Sequence, residues 1–128
     1  MIEGLENLYE SSNPSGSSRN IVSIVRGQNI PERVSRAIEM VGGIERFVNR
    51  GDKVLIKPNL VDGKPYETGE TVHTETIRTL IRLVRNAGAS QISVGDAITS
   101  RDLTLYETVA RIAEEEGGRF VDFEQGPW

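Results

Sequence analysis

The chain of 128 residues contains no cysteine and a single histidine, and only 5% of it is aromatic. Without cysteine it has no disulfide, thiolate zinc site, catalytic thiol or cysteine-held iron–sulfur cluster of its own. One histidine, His73, cannot supply the paired imidazoles of a zinc-protease helix. Basic charge is also short: 15 Lys+Arg stand against 19 Asp+Glu, a net charge of −4. That balance argues against nucleic acid as a partner, which needs clustered positive charge. No apolar run approaches the roughly 20 residues of a membrane span. The opening MIEGLENLYE has neither a basic flank nor an apolar signal core. These absences predict a cytoplasmic chain with no membrane partner. Missing too are G-x-G-x-x-G, G-x-x-x-x-G-K-[ST] and G-x-S-x-G, so dinucleotide, P-loop and hydrolase-elbow readings lack their motifs.

What is present is ordinary globular material, 37% hydrophobic, with 13 Gly and 5 Pro. Residues 1–19 stand apart. Their Ser11–Ser18 stretch is small, polar and turn-forming, so it reads as a flexible tail that cannot offset its ordering entropy by burial. Residues 20–128 alternate short β-branched runs with amphipathic stretches. Strands are predicted at Ile21–Val25, Lys53–Lys57, Gln91–Val94 and Arg119–Phe123. Between them, helical spacing appears at Val34, Ala37, Ile38 and Val41, at Ile77, Leu80, Ile81 and Val84, and at Leu105, Val109, Ile112 and Ala113. Pro31 suits a first helical turn, and Thr104-x-x-Glu107 reads as a capping box. The fold class is therefore α/β: a parallel sheet in a β-α-β-α-β-α-β arrangement with helices on both faces. The Glu114-Glu115-Glu116 run reads as the solvated end of the last helix and is assigned no role.

Ligands of open parallel sheets bind beyond the carboxyl ends of the strands. Lys57 stands there after three apolar residues, and Pro58 biases it toward an extended conformation, so its direction is well defined. Its ammonium suits a phosphate or carboxylate, against the plainer reading of a solvated strand-end lysine. Asn59 suits either ligand orientation or an Asx turn. His73 sits at the expected N-cap of the second helix, as general base or as plain cap. Gly95-Asp96 offers close backbone approach followed by a carboxylate, and Thr99 and Ser100 continue that loop with hydroxyls. The connection from Asn59 to His73 is long for an α/β unit and reads as a lid or binding loop. The candidate catalytic residues are Lys57, His73 and Asp96; Asn59, Gly95, Thr99 and Ser100 are the candidate ligand-binding residues, with no metal ligand among them.

Several strings resemble one family. Gly42-Gly43-Ile44-Glu45-Arg46-Phe47-Val48 is followed by Gly51-Asp52-Lys53-Val54-Leu55-Ile56-Lys57-Pro58-Asn59-Leu60-Val61. His73-Thr74-Glu75, Leu80-Ile81-Arg82-Leu83, Ala87-Gly88-Ala89 and Val94-Gly95-Asp96 complete the set, which resembles the signature of the domain of unknown function 362 family from about residue 21 onward. The resemblance carries Lys57, Asn59, His73 and Asp96 over by position. It implies a domain longer than this chain, of which residues 20–128 are the amino-terminal part. Many members carry a ferredoxin-like segment with four-cysteine motifs, so the resemblance also implies an iron–sulfur cluster in a missing carboxyl-terminal segment, and none in this chain. The functional expectation is an enzyme domain binding an anionic small molecule at the carboxyl edge of the sheet, with redox chemistry supplied elsewhere. The alternative is a non-catalytic docking domain that completes its sheet with a partner protein or the missing segment. A flavodoxin-like or receiver-like reading fits the alternation but lacks a flavin phosphate loop and an acidic pair after the first strand.

Overall fold

The computed structural model describes residues 20–61, 64–98 and 102–125; the expected tail at 1–19, Thr99, Ser100 and Trp128 lie outside them. Three strands form one sheet, β1 (Lys53–Ile56), β2 (Gln91–Asp96) and β3 (Arg119–Asp122), all parallel and in the order β1-β2-β3. Three helices accompany them, α1 (Ile30–Met40), α2 (Thr74–Asn86) and α3 (Thr104–Glu115). The α/β class with its parallel sheet is thus as the sequence predicts.

The core follows from the two periodicities. Val54 and Ile56 of β1 register with Ile92 and Val94 of β2, and Val94 registers with Phe120 of β3. Against this row pack Ile77, Ile81 and Val84 of α2 and Val109, Ile112 and Ala113 of α3. Tyr106 closes the far side, its ring edge-on to Phe120 at 6.3 Å between centroids. Ile77, Ile81, Val94 and Val109 are fully buried, each contributing about 1.5–3 kcal/mol by removal from water.

Two expectations are corrected. Ile21–Val25 forms no strand: Ile21, Val22 and Ile24 are 55%, 82% and 79% exposed, and Ser23 Oγ donates to the Ala37 carbonyl of α1 at 2.8 Å instead. β-branched residues favour a pleated backbone, but a strand needs a neighbouring edge, and here the segment bonds to a helix. The expected cover on both faces changes with it. Two right-handed crossovers stepping in the same direction, β1 to β2 to β3, place α2 and α3 on one face. Only a strand on the other side of β1 would reverse the direction of travel. On the opposite face Leu55 is 54% exposed.

The third helix also starts one way and not the other. Thr104 is its first residue, so no capping box forms with Glu107. Asp102 does the work from outside, its Oδ1 accepting the Thr104 N–H at 3.0 Å, since a carboxylate is the stronger acceptor.

The acidic run at the end of α3 is not simply solvated. Glu116 is 5% exposed and lies under α2. Arg78, Arg82 and Arg85, spaced i, i+4, i+7 on one face of α2, converge on it. Arg78 Nη1 donates to Oε1 at 2.8 Å, while Arg82 forks onto both oxygens at 2.9 and 2.6 Å. Arg85 Nη1 donates to the Glu116 carbonyl at 2.9 Å, satisfying a helix-end acceptor. Hydrogen bonds from Arg82 and then Arg78 hold the Glu116 carboxyl at about 2, outweighing the burial that would raise it. This clamp locks the two core helices together.

Candidate functional site

The site begins where β1 ends. Lys57 follows Ile56 and precedes the buried Pro58, and its ammonium reaches the end of the adjacent β2. Its Nζ lies 2.9 Å from Asp96 Oδ1 and donates to the Pro58 carbonyl at 3.2 Å. Asp96, the last residue of β2, is the better buried partner: its side chain is 11% exposed, that of Lys57 53%. Both carboxylate oxygens are used. Oδ1 also accepts the Ala97 N–H at 2.9 Å, and Oδ2 accepts the Leu60 N–H at 2.9 Å. Burial pushes the Asp96 carboxyl up, but Lys57 and the Leu60 and Ala97 amides outweigh it, so the net shift is downward. Asp96 is therefore ionised at neutral pH, which suits it to hold a cation and not to donate a proton.

The long connection is fastened to this pair. Leu60 is a core residue at 6% exposure, so its amide is held on Asp96 by packing. Asn59 Nδ2 donates to the Glu70 carbonyl at 2.6 Å, and the Asn59 carbonyl accepts the Val72 N–H at 2.9 Å. Thr71, buried, accepts from Val61 N–H at 3.1 Å and donates to the Val61 carbonyl at 2.9 Å. The two ends of the loop thus zip together, and Thr71, which sequence reasoning passed over, is their fastener. A lone threonine in a loop carries no signal by which to find it.

His73 is the N-cap of α2, as its position predicts, and its Nδ1 accepts the Glu75 N–H at 3.0 Å. Its ring packs edge-on to Tyr66 with centroids 4.1 Å apart. The structure brings Lys57 and Asp96 together, with Asn59 adjacent through the chain. It gives His73 no hydrogen bond to either. Replacing His73 by alanine should cost about 1 kcal/mol of stability in thermal unfolding, while His73→Asn keeps the cap acceptor and stays close to the parent. A loss as large in His73→Asn would show that Tyr66 stacking, and not capping, is what His73 supplies.

Gly95 has a packing reason. A Cβ built on it would collide with Phe123 Cε1 and lie 2.6 Å from Val121 Cγ2, both from the neighbouring strand and its extension. The close approach expected of Gly95 is thus made by side chains of this chain. Asp122 finishes the edge: its Oδ1 accepts the Ile98 and Glu124 N–H groups at 3.2 and 3.0 Å, ordering the turns after β2 and β3. Among the described residues no group of three or more acidic or imidazole side chains could hold a metal ion. Nor is any described helix long and apolar enough to cross a membrane.

A family model described as Domain of unknown function (DUF362) matches residues 54–128, a span that takes in Lys57, Asn59, His73 and Asp96. Neither the curated proteins nor the solved structures gave a match.

Proposed function

The chain belongs to the DUF362 family, and from that premise we propose that its carboxyl-edge site binds a small anionic molecule as part of an enzyme domain. The observation that carries this reading is the Lys57–Asp96 pair at 2.9 Å, with the lysine half exposed and the aspartate buried. An ammonium has three protons. Two are directed at Asp96 and Pro58, which fixes the nitrogen and leaves one donor for an incoming oxyanion. Asp96 acts here as a positioning residue, and Asn59 and Thr71 keep the loop beside it in register. His73 belongs to the proposal as the N-cap of α2, its Nδ1 committed to the Glu75 N–H. Thr99 and Ser100 belong to the same proposal by their place after β2.

An iron–sulfur cluster does not fit this chain, which has no cysteine to hold one. In this proposal any such cluster is held by another polypeptide segment. The cytoplasmic location belongs to the proposal too, and the cysteine-free composition supports it.

Calorimetric titration of the chain with inorganic phosphate and with citrate tests the reading. Lys57→Met should weaken binding tenfold or more and Lys57→Arg should retain most of it. Equal affinity in Lys57→Met and the parent would remove the site. Asp96→Asn should give a smaller loss, because it frees the ammonium without deleting it.

A second reading, a docking domain, is favoured by the exposure of Leu55 together with the outer edge of β1, which has no strand partner among the described residues. An open strand edge with an exposed apolar side chain suits strand addition by a partner. Hydrogen exchange separates the two: protection gained at residues 21–25 and 53–56 on adding a partner protein, with no anion affinity, favours docking.

A further inference from the structure

We propose a second oxyanion site, remote in sequence from Lys57, in the cleft between residues 25–29 and one face of α1. The cleft has a volume of about 460 Å3 and is lined by Val25, Arg26, Gly27, Glu32, Arg33 and Glu39, among others. That volume falls in the range of roughly 300–1,000 Å3 typical of small-molecule sites.

Two guanidiniums face this cleft without an acidic partner. Among the described residues neither Arg26 nor Arg33 makes an ion pair, whereas Arg36 reaches Glu39 at 3.5 Å. Arg33 is the sharper of the two. Its Nε is shut off from solvent and has no hydrogen-bond acceptor among the described residues. The arginine stem lies against the Gly27 backbone: a Cβ there would stand 3.4 Å from Arg33 Cγ and 3.7 Å from Cδ. A buried N–H without an acceptor is costly, so an oxyanion that draws the guanidinium edge toward the cleft would gain the Nε–H as well as an Nη–H, a bidentate pair in which the arginine donates.

The amino end of α1 is not what makes the site. Its Glu32 N–H is already accepted by Asn29 Oδ1 at 3.0 Å, and the Arg33 N–H by the Asn29 carbonyl at 3.1 Å. Attraction comes from the side chains. Glu32 and Glu39 on the same walls limit the charge the cleft tolerates, so the ligand class is a small molecule with one oxyanion head and hydrogen-bond donors on its body.

The experiment is an NMR titration of the whole chain at low ionic strength, reading the arginine Nε–Hε signals against inorganic phosphate and, separately, acetate. The expected result is a saturable shift of the Arg33 signal with at least one probe, and a larger shift than that of the exposed Arg111. In Arg26→Met the same shift should need tenfold or more probe. In Lys57→Met it should be unchanged, which separates this site from the one at the sheet edge. A linear, non-saturating response equal to that of Arg111 overturns the proposal, and so does loss of the Arg33 shift in Lys57→Met. A response indifferent to Arg26→Met overturns the two-arginine site as well.

Discussion

Glu116→Ala is expected to destabilise the chain by about 2–3 kcal/mol, read as a lowered urea midpoint at pH 7. Deleting one member of a buried ion pair typically costs about 3–5 kcal/mol, because the partner charge is left uncompensated. The lower figure applies because Arg82 and Arg85 have side chains 54% and 48% exposed and can turn into water. Arg78, at 21% exposure, cannot do so as readily, although it keeps Glu115 at 2.9 Å. The same clamp sets an acid limb. A carboxyl held at about 2 when folded, against an ordinary 4.5, takes up its proton at higher pH in the unfolded chain than in the folded one. Its stabilisation is therefore complete above the ordinary value and is lost as pH falls from about 5 to about 2. Glu116→Gln should flatten that limb while keeping part of the hydrogen bonding. A Glu116→Ala midpoint equal to the parent's at pH 7, with an unchanged acid limb, would show that the arginines are solvated and the clamp does nothing.

This clamp marks a boundary of what a sequence makes legible. Each local signal was present: three arginines at i, i+4, i+7 on α2, and an acidic run closing α3. Taken alone, acids at a helix carboxyl end oppose its dipole and belong in solvent. The sign reverses only because α2 and α3 lie side by side on one face of the sheet, which no local pattern states. Ile21–Val25 fails for the same kind of reason. Its β-branched run is as strand-like as Gln91–Val94, but Gln91–Val94 runs between two neighbours whereas Ile21–Val25 has no ladder at all. Strand propensity is a statement about fitting a pleated surface, so the neighbour decides. The candidate site was more legible. Pro58 restricts Lys57, and β2 ending in Gly95-Asp96 puts a carboxylate at the same sheet edge, so their meeting follows once the strands are parallel and adjacent. The Leu60 amide on Asp96 and the Thr71 fastener were hidden, since both depend on how a long loop folds back.

Gly95→Val is expected to have the other large effect, a loss of about 1–3 kcal/mol or more, with Gly95→Ala already costing part of it. The β2 backbone at this position is not in a conformation reserved for glycine, so the penalty is one of space. A single methyl would meet Phe123 Cε1, Val121 Cγ2 at 2.6 Å and Phe123 Cζ at 2.9 Å. Val121 is paired in register with Gly95 and cannot withdraw without breaking the β2–β3 ladder. Phe123 lies just past the strand and is the side chain able to swing away. Its amide, however, donates to the Asp96 carbonyl at 3.0 Å, so displacing it tugs on the residue that holds Lys57. Two readouts should therefore move together in Gly95→Val: the unfolding midpoint, and anion affinity at the Lys57 edge. Phe123→Ala in the Gly95→Ala background should recover part of the lost stability, a coupling expected of residues in direct contact and absent between distant ones. If Gly95→Ala unfolds with the parent while anion affinity alone collapses, then Gly95 is glycine for a ligand's approach and not for Phe123. Loss of stability that Phe123→Ala relieves, with affinity recovering in step, assigns it to packing and makes Phe123 the support on which the Asp96–Lys57 geometry rests.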